Sequence, residues 1–267
     1  MPRDTRAGHP THWQVFGSGP RPALALHCSL AHSGAWAGVA QHLGGVLNIT
    51  APDLPGHGNS ADWDGQEDYA TLSAKVAASF FEEPMDLIGH SFGALLALRI
   101  ALEVPLVVRS LTLIEPVLFA AAQGHPEWDG HVAEMAPFVQ AMQAGDREAG
   151  AAAFTALWGA GQSWDSLSQR ARDYNTGRIH LIPAIAPANY EDNAGLLAPG
   201  GLEGLVMPVM LIQGSESPRV MHRITEAIAA RLPEVGVAEV KGAGHMLPVT
   251  HAAQVAGLIE TNVTRAD

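Results

Sequence analysis

The chain has 267 residues, enough for one large domain or for one core carrying an inserted subdomain, and a chain of this length needs neither metal nor disulfide to bury most of its surface. Its 47% apolar and 16% charged residues are those of a globular protein. A formal charge of −12, with fifteen scattered basic residues, excludes the basic stripe that nucleic acid requires, and the single cysteine, Cys28, excludes an intrachain disulfide.

The first ten residues, Met1 to Pro10, are charged and lack the apolar run of a signal peptide. No stretch of about 18 apolar residues is present to span a bilayer. The expectation is a soluble cytoplasmic protein without a membrane partner. Ala23 to His27 then reads as a buried strand, Gly34 to Leu43 as a helix and Leu47 to Ala51 as a second strand. A helical stretch over Tyr69 to Phe81 leads to a strand at Met85 to Gly89, a helix at Phe92 to Leu102 and a strand at Ser110 to Ile114. This alternation is the signature of a mostly parallel sheet flanked by helices. It stops between about Val117 and Gly204, where helical patterns such as Val132 to Met142 and Ala149 to Leu157 occur without a convincing strand. The alternation resumes with strands at Val209 to Ile212 and Val237 to Val240 and helices at Arg219 to Leu232 and Ala252 to Thr261. The reading is an α/β core in two parts, residues 1–116 and 205–267, interrupted by a helical cap insertion over 117–204.

Gly89-His90-Ser91-Phe92-Gly93 matches G-x-S-x-G between a predicted strand and a predicted helix. A turn that sharp strains the serine backbone, small neighbours relieve the crowding, and Oγ is held clear of the sheet. The plain alternative is an ordinary tight turn. A serine hydroxyl needs a base, and His245, in Gly242-Ala243-Gly244-His245-Met246, leaves the last predicted strand on a glycine-flanked loop. The plain alternative for it is a surface histidine. Serine first, acid next and histidine last is an order that a catalytic triad takes.

Four segments carry a resemblance: His27-Cys28-Ser29 with Trp36 downstream, Asp53-Leu54-Pro55-Gly56-His57-Gly58-Asn59-Ser60, the Ser91 turn and the Gly244-His245 loop. On them the chain resembles the α/β-hydrolase superfamily, in the branch with a helical cap after the sixth strand. The resemblance implies Ser91 as nucleophile, His245 as general base, and an oxyanion hole built from the backbone N–H groups of Phe92 and Ser29. Relatives carry glycine where this chain has Cys28, which reads as a small buried filler rather than a second nucleophile. Asp53 and His57 read as parts of a structural loop.

The acid departs from the family pattern. The resemblance points to an aspartate three residues after Gly214, where this chain has Ser217, which reads as the N-cap of the following helix with Pro218 at its first position. Glu115, at the end of the strand after the nucleophile helix, is the favoured carboxylate, and Glu216 is the alternative. Their plain readings are a solvated or capping acid and a charge near a helix N-terminus.

The expected activity is hydrolysis of a carboxylic ester or thioester through an acyl-enzyme, on a small-molecule substrate with an apolar acyl or aromatic group. No cofactor and no metal is expected, since H-E-x-x-H, paired cysteines and phosphate-binding glycine loops are all missing from the sequence. A serine in the turn argues against haloalkane dehalogenase and epoxide hydrolase chemistry, which use aspartate there. C–C bond hydrolysis, cofactor-free perhydrolase activity, a non-hydrolytic lyase and a ligand-binding receptor on the same scaffold stay open.

Overall fold

The structure, a computed structural model, describes residues 3–266; Met1, Pro2 and Asp267 lie outside the described residues. In chain order, β1 (Arg3–Arg6), β2 (His9–Phe16) and β3 (Arg21–Leu26) precede α1 (Ala37–Leu43) and β4 (Leu47–Pro52). Then follow α2 (Tyr69–Ala78), β5 (Met85–His90), α3 (Phe92–Glu103) and β6 (Val108–Ile114). The segment after β6 holds α4 (Pro126–Gln143), α5 (Arg147–Trp158), α6 (Gln169–Arg178), α7 (Leu181–Ala184) and α8 (Ala186–Asn189). The chain ends with β7 (Val209–Gly214), α9 (Arg219–Ala229), β8 (Val235–Val240), α10 (Leu247–Thr250) and α11 (Ala252–Thr264).

The strands form one eight-stranded sheet in the order β1-β2-β4-β3-β5-β6-β7-β8. The pairs β1/β2 and β2/β4 are antiparallel and every other pair is parallel. A mostly parallel sheet flanked by helices is therefore the observed fold class. The first two strands are an addition to the sequence reading. They form an edge hairpin on a two-residue turn, with φ of 49° at Ala7 and 83° at Gly8. Their polar residues outnumber apolar ones, so no buried-strand pattern marks them.

Side chains alternate across the sheet, and the two faces make two apolar clusters. Leu24, Leu26, Leu87, Leu111, Leu113 and Leu211 join the cluster that includes residues of α2, α3 and α9. Ala23, Ala25, Ile88, Ile114 and Ile212 join the one that includes residues of α1 and α11. Strands buried on both faces read as unbroken apolar runs, which is why their positions stand out in the sequence. No strand interrupts residues 115–208 among the described residues. Asp146 caps α5 by accepting a hydrogen bond from the Ala149 amide, and the Ser168 hydroxyl caps α6 through the Ala171 amide.

The register sets the functional edge. His90 of β5 lies level with Ile114 of β6, which lies level with Ile212 of β7. One residue further, Ser91 and Glu115 therefore leave the carboxyl ends of adjacent parallel strands, the edge where open α/β sheets bind ligands.

Candidate active site

Ser91 turns the chain from β5 into α3 with φ 56° and ψ −116°. That left-handed backbone is rare for a residue with a Cβ and persists only where the surroundings impose it. Here the Ser91 amide donates to the Ile114 carbonyl at 2.8 Å, and the Ser91 carbonyl accepts from the Ala94 and Leu95 amides. The two glycines of the motif are demanded by close approach. A Cβ on Gly89 would lie 2.3 Å from the Gly93 carbonyl oxygen, and one on Gly93 would lie 2.1 Å from that of Leu26. The Phe92 amide, at the first position of α3, belongs to the first turn, whose amides have no intrahelical acceptor.

His245 Nε2 lies 3.0 Å from Ser91 Oγ, and His245 Nδ1 lies 3.0 Å from Glu115 Oε2. Glu115 is fully buried, and its other oxygen accepts hydrogen bonds from the Gly214 amide and the Ser217 hydroxyl, each at 2.8 Å. A carboxyl group taken out of water needs its oxygens hydrogen-bonded, and these contacts meet that need. Glu115 also has a positive φ, 51°, with its amide donating to the Ile212 carbonyl. Thus two adjacent strand ends hold strained residues whose side chains meet the same imidazole. Glu216 is exposed, and its amide donates to the Ala243 carbonyl. The imidazole meets Glu115, not Glu216.

The helix-cap reading of Ser217 is corrected. The N-cap of α9 is Pro218, with no side-chain cap hydrogen bond, and the Ser217 hydroxyl is turned inward onto Glu115. Satisfying a buried carboxylate outweighs capping an exposed helix end, since an unpaired buried charge costs more than a lost cap.

Three buried histidines wire the surrounding loops; the sequence reading gave His57 a structural place in its loop and gave His27 and His90 no role of their own. His90 Nε2 donates to the carbonyl of His245 at 2.8 Å, so the residue before the serine pins the loop that carries the imidazole. His27 accepts from the Leu54 amide at Nε2 and donates from Nδ1 to the Cys28 carbonyl. His57 accepts from the Leu30 amide at Nε2 and donates from Nδ1 to the Pro55 carbonyl. Burial is the leading cause that lowers all three, to about 3 for His90, about 4 for His27 and about 3 for His57. Each is therefore neutral at neutral pH and can both donate and accept. Asp53 ties the same region together, accepting from the Ser33 and Asn59 amides and from His12 Nδ1. Cys28 is buried, 4.0 Å from the Met246 sulfur, and burial pushes its thiol up to about 12. A thiol so protonated is a poor nucleophile.

Ser91, His245 and Ser29 line a cavity of about 180 Å3 that is otherwise walled mainly by apolar side chains, Phe119, Met135, Phe138, Phe154, Trp158 and Ile182 among them. All six come from the segment between β6 and β7. Trp158 stands edge-on to the His245 ring, with centroids 4.7 Å apart. No helix among the described residues is long and apolar enough to cross a membrane, and no cluster of three metal-ligating side chains is found among them. The arrangement can accept a proton from a hydroxyl, stabilise the resulting imidazolium and enclose an apolar group beside it.

A profile of the alpha/beta hydrolase family matches residues 23–258. Over 261 residues the chain is 26% identical to a pimeloyl-[acyl-carrier protein] methyl ester esterase of Yersinia pseudotuberculosis, covering 93% of this chain and 95% of that esterase. A stretch of 111 residues is 35% identical to the lipase LipV of Mycobacterium tuberculosis, spanning 40% of this chain and 42% of the lipase. Among solved structures, the enol-lactonase from Burkholderia xenovorans LB400 matches 98% of this chain and 100% of its own, with a TM-score of 0.75 at 17% identity, a likeness of fold.

Proposed function

The chain belongs to the alpha/beta hydrolase family, and from that premise we propose that it is a serine hydrolase cleaving a carboxylic ester or thioester through an acyl-enzyme. The observation that carries this reading is the continuous line of hydrogen bonds from Ser91 Oγ through both ring nitrogens of His245 to Glu115. Ser91 Oγ attacks the carbonyl carbon while His245 Nε2 takes its proton. Glu115 holds the Nδ1–H tautomer and stabilises the imidazolium that forms. The negative charge on the former carbonyl oxygen is met by the amides of Phe92 and Ser29; one such donor is worth on the order of 10² to 10³ in rate. His245 then protonates the leaving alcohol or thiol, and in the second half it activates the water that releases the acid.

In this proposal residues 117–204 act as a helical cap over a core made of residues 1–116 and 205–267. The apolar walls of the cavity support an apolar acyl or aromatic group in the substrate. A cytoplasmic setting is part of the same reading, because no step needs a membrane or a disulfide.

The test is the reaction with p-nitrophenyl acetate and butyrate. Wild type is expected to give a burst of nitrophenol and covalent labelling by a fluorophosphonate, both lost in Ser91→Ala. Equal turnover by Ser91→Ala and wild type would overturn the proposal.

A further inference from the structure

The wall of the cavity beside Ser91 contains a buried polar side chain that the chemistry above does not use and that has an open hydrogen-bonding valence. Asn189, the last residue of α8, lines the cavity, is only 4% exposed, and has a buried Oδ1 with no hydrogen-bond partner among the described residues. An apolar residue of similar volume would fill the same space without leaving an acceptor unpaired.

Its neighbours define what it can take. Tyr190 also lines the cavity, but its hydroxyl is engaged with His131 Nε2 at 2.6 Å, and its ring stacks on Phe119 with centroids 4.8 Å apart. His131 packs against both rings and is buried, and burial lowers it to about 4, so it supplies no positive charge at neutral pH. With no charge at hand to pair it, a carboxylate or ammonium group would be stranded in an apolar wall. A hydroxyl fits whichever way the carboxamide is turned, because it can donate to the oxygen or accept from the nitrogen. The cavity of about 180 Å3 slightly exceeds the roughly 150 Å3 that holds benzene, which corresponds to a group of about six or seven carbons.

We infer that Asn189 is a specificity-determining residue that hydrogen-bonds a hydroxyl on the apolar group of the ester, so that the preferred substrates are hydroxylated esters of medium size. The inference rests on the serine hydrolase reading and names its substrate class.

The hydroxyl can sit on the acid or on the alcohol, and two substrate pairs separate these sources. One pair is p-nitrophenyl hexanoate and p-nitrophenyl 6-hydroxyhexanoate; the other is hexyl acetate and 6-hydroxyhexyl acetate. For each pair the ratio of kcat/KM, hydroxylated over plain, is measured in wild type, Asn189→Leu and Asn189→Ala. Any general loss of activity cancels in this ratio, so a variant with partial damage still reports. The expected result is a ratio that falls about tenfold or more in both variants for one pair, which also tells which side of the ester carries the hydroxyl. Ser91-dependent turnover with ratios within twofold of wild type for both pairs would remove Asn189 from specificity and leave the serine hydrolase reading standing. Absence of any Ser91-dependent ester turnover would overturn both.

Discussion

Replacing Glu115 by glutamine exchanges one oxygen for an NH2 group and forces a conflict that the geometry makes unavoidable. Oε2 accepts from His245 Nδ1, while Oε1 accepts from the Gly214 amide and the Ser217 hydroxyl. A glutamine has a single side-chain acceptor oxygen and a donating NH2. If the oxygen stays with Gly214 and Ser217, the NH2 faces Nδ1 and drives the imidazole to its other tautomer, with a proton on Nε2 where Ser91 needs an acceptor. If the oxygen turns to Nδ1, the NH2 meets the Gly214 amide and leaves buried donors unpaired, which costs about 1–3 kcal/mol of stability. The first outcome resembles a tautomer error in a serine protease triad, where the aspartate-to-asparagine change lowers kcat by about 10⁴, on the order of 5 kcal/mol of transition-state stabilisation. Glu115→Gln is therefore expected to lower kcat on p-nitrophenyl butyrate by about three to four decades, with the far-UV circular dichroism of wild type. Glu216→Gln, at an exposed side chain, is expected to retain near-full activity. Activity of Glu115→Gln within tenfold of wild type, or a larger loss in Glu216→Gln, would refute the assignment of the acid.

Three further outcomes follow from packing and burial elsewhere in the fold. Gly93→Ala puts a Cβ 2.1 Å from the Leu26 carbonyl oxygen and 2.7 Å from that of His27, both backbone atoms that cannot swing aside; a loss of about 3 kcal/mol or more is expected in thermal or urea unfolding. Gly130→Ala, in α4 with nothing within 4 Å of the new carbon, is expected to stabilise by about 0.5–1 kcal/mol, and equal melting of the two variants would contradict the packing argument. Stability is also expected to fall with acid, because burial lowers His27, His57, His90 and His131 to about 4, 3, 3 and 4. The unfolded chain takes up protons near pH 6.5 that the folded chain refuses, so this stability is complete above about pH 6.5 and is lost as the pH drops toward the folded values. One such histidine contributes about 2 kcal/mol between about pH 7.5 and pH 5, so a urea midpoint that stays flat across that interval would show that these rings titrate normally.

The sequence on its own determined what is local. Most parallel strands of the core are short, largely apolar runs buried on both faces, so the order of strands from Arg21 onward was readable, whereas the polar α6 and the four-residue α7 and α8 carry no such mark. The turn at Ser91 was readable for the same reason, since strand, serine and helix lie within 19 consecutive residues. The edge hairpin was not, because its half-exposed strands, with their histidines, arginines and threonine, lack such a run. The partner of His245 depended on tertiary structure. Glu115 and Ser217 are 102 residues apart, and only the alignment of β6 with β7 brings the serine hydroxyl onto the carboxylate instead of onto its own helix. Asn189 was silent in the sequence as well, since an asparagine at a helix end is ordinarily a cap or a solvated side chain. Its meaning comes from burial: α8 sets it in the wall of the cavity, where its amide oxygen is buried without a hydrogen-bond partner among the described residues.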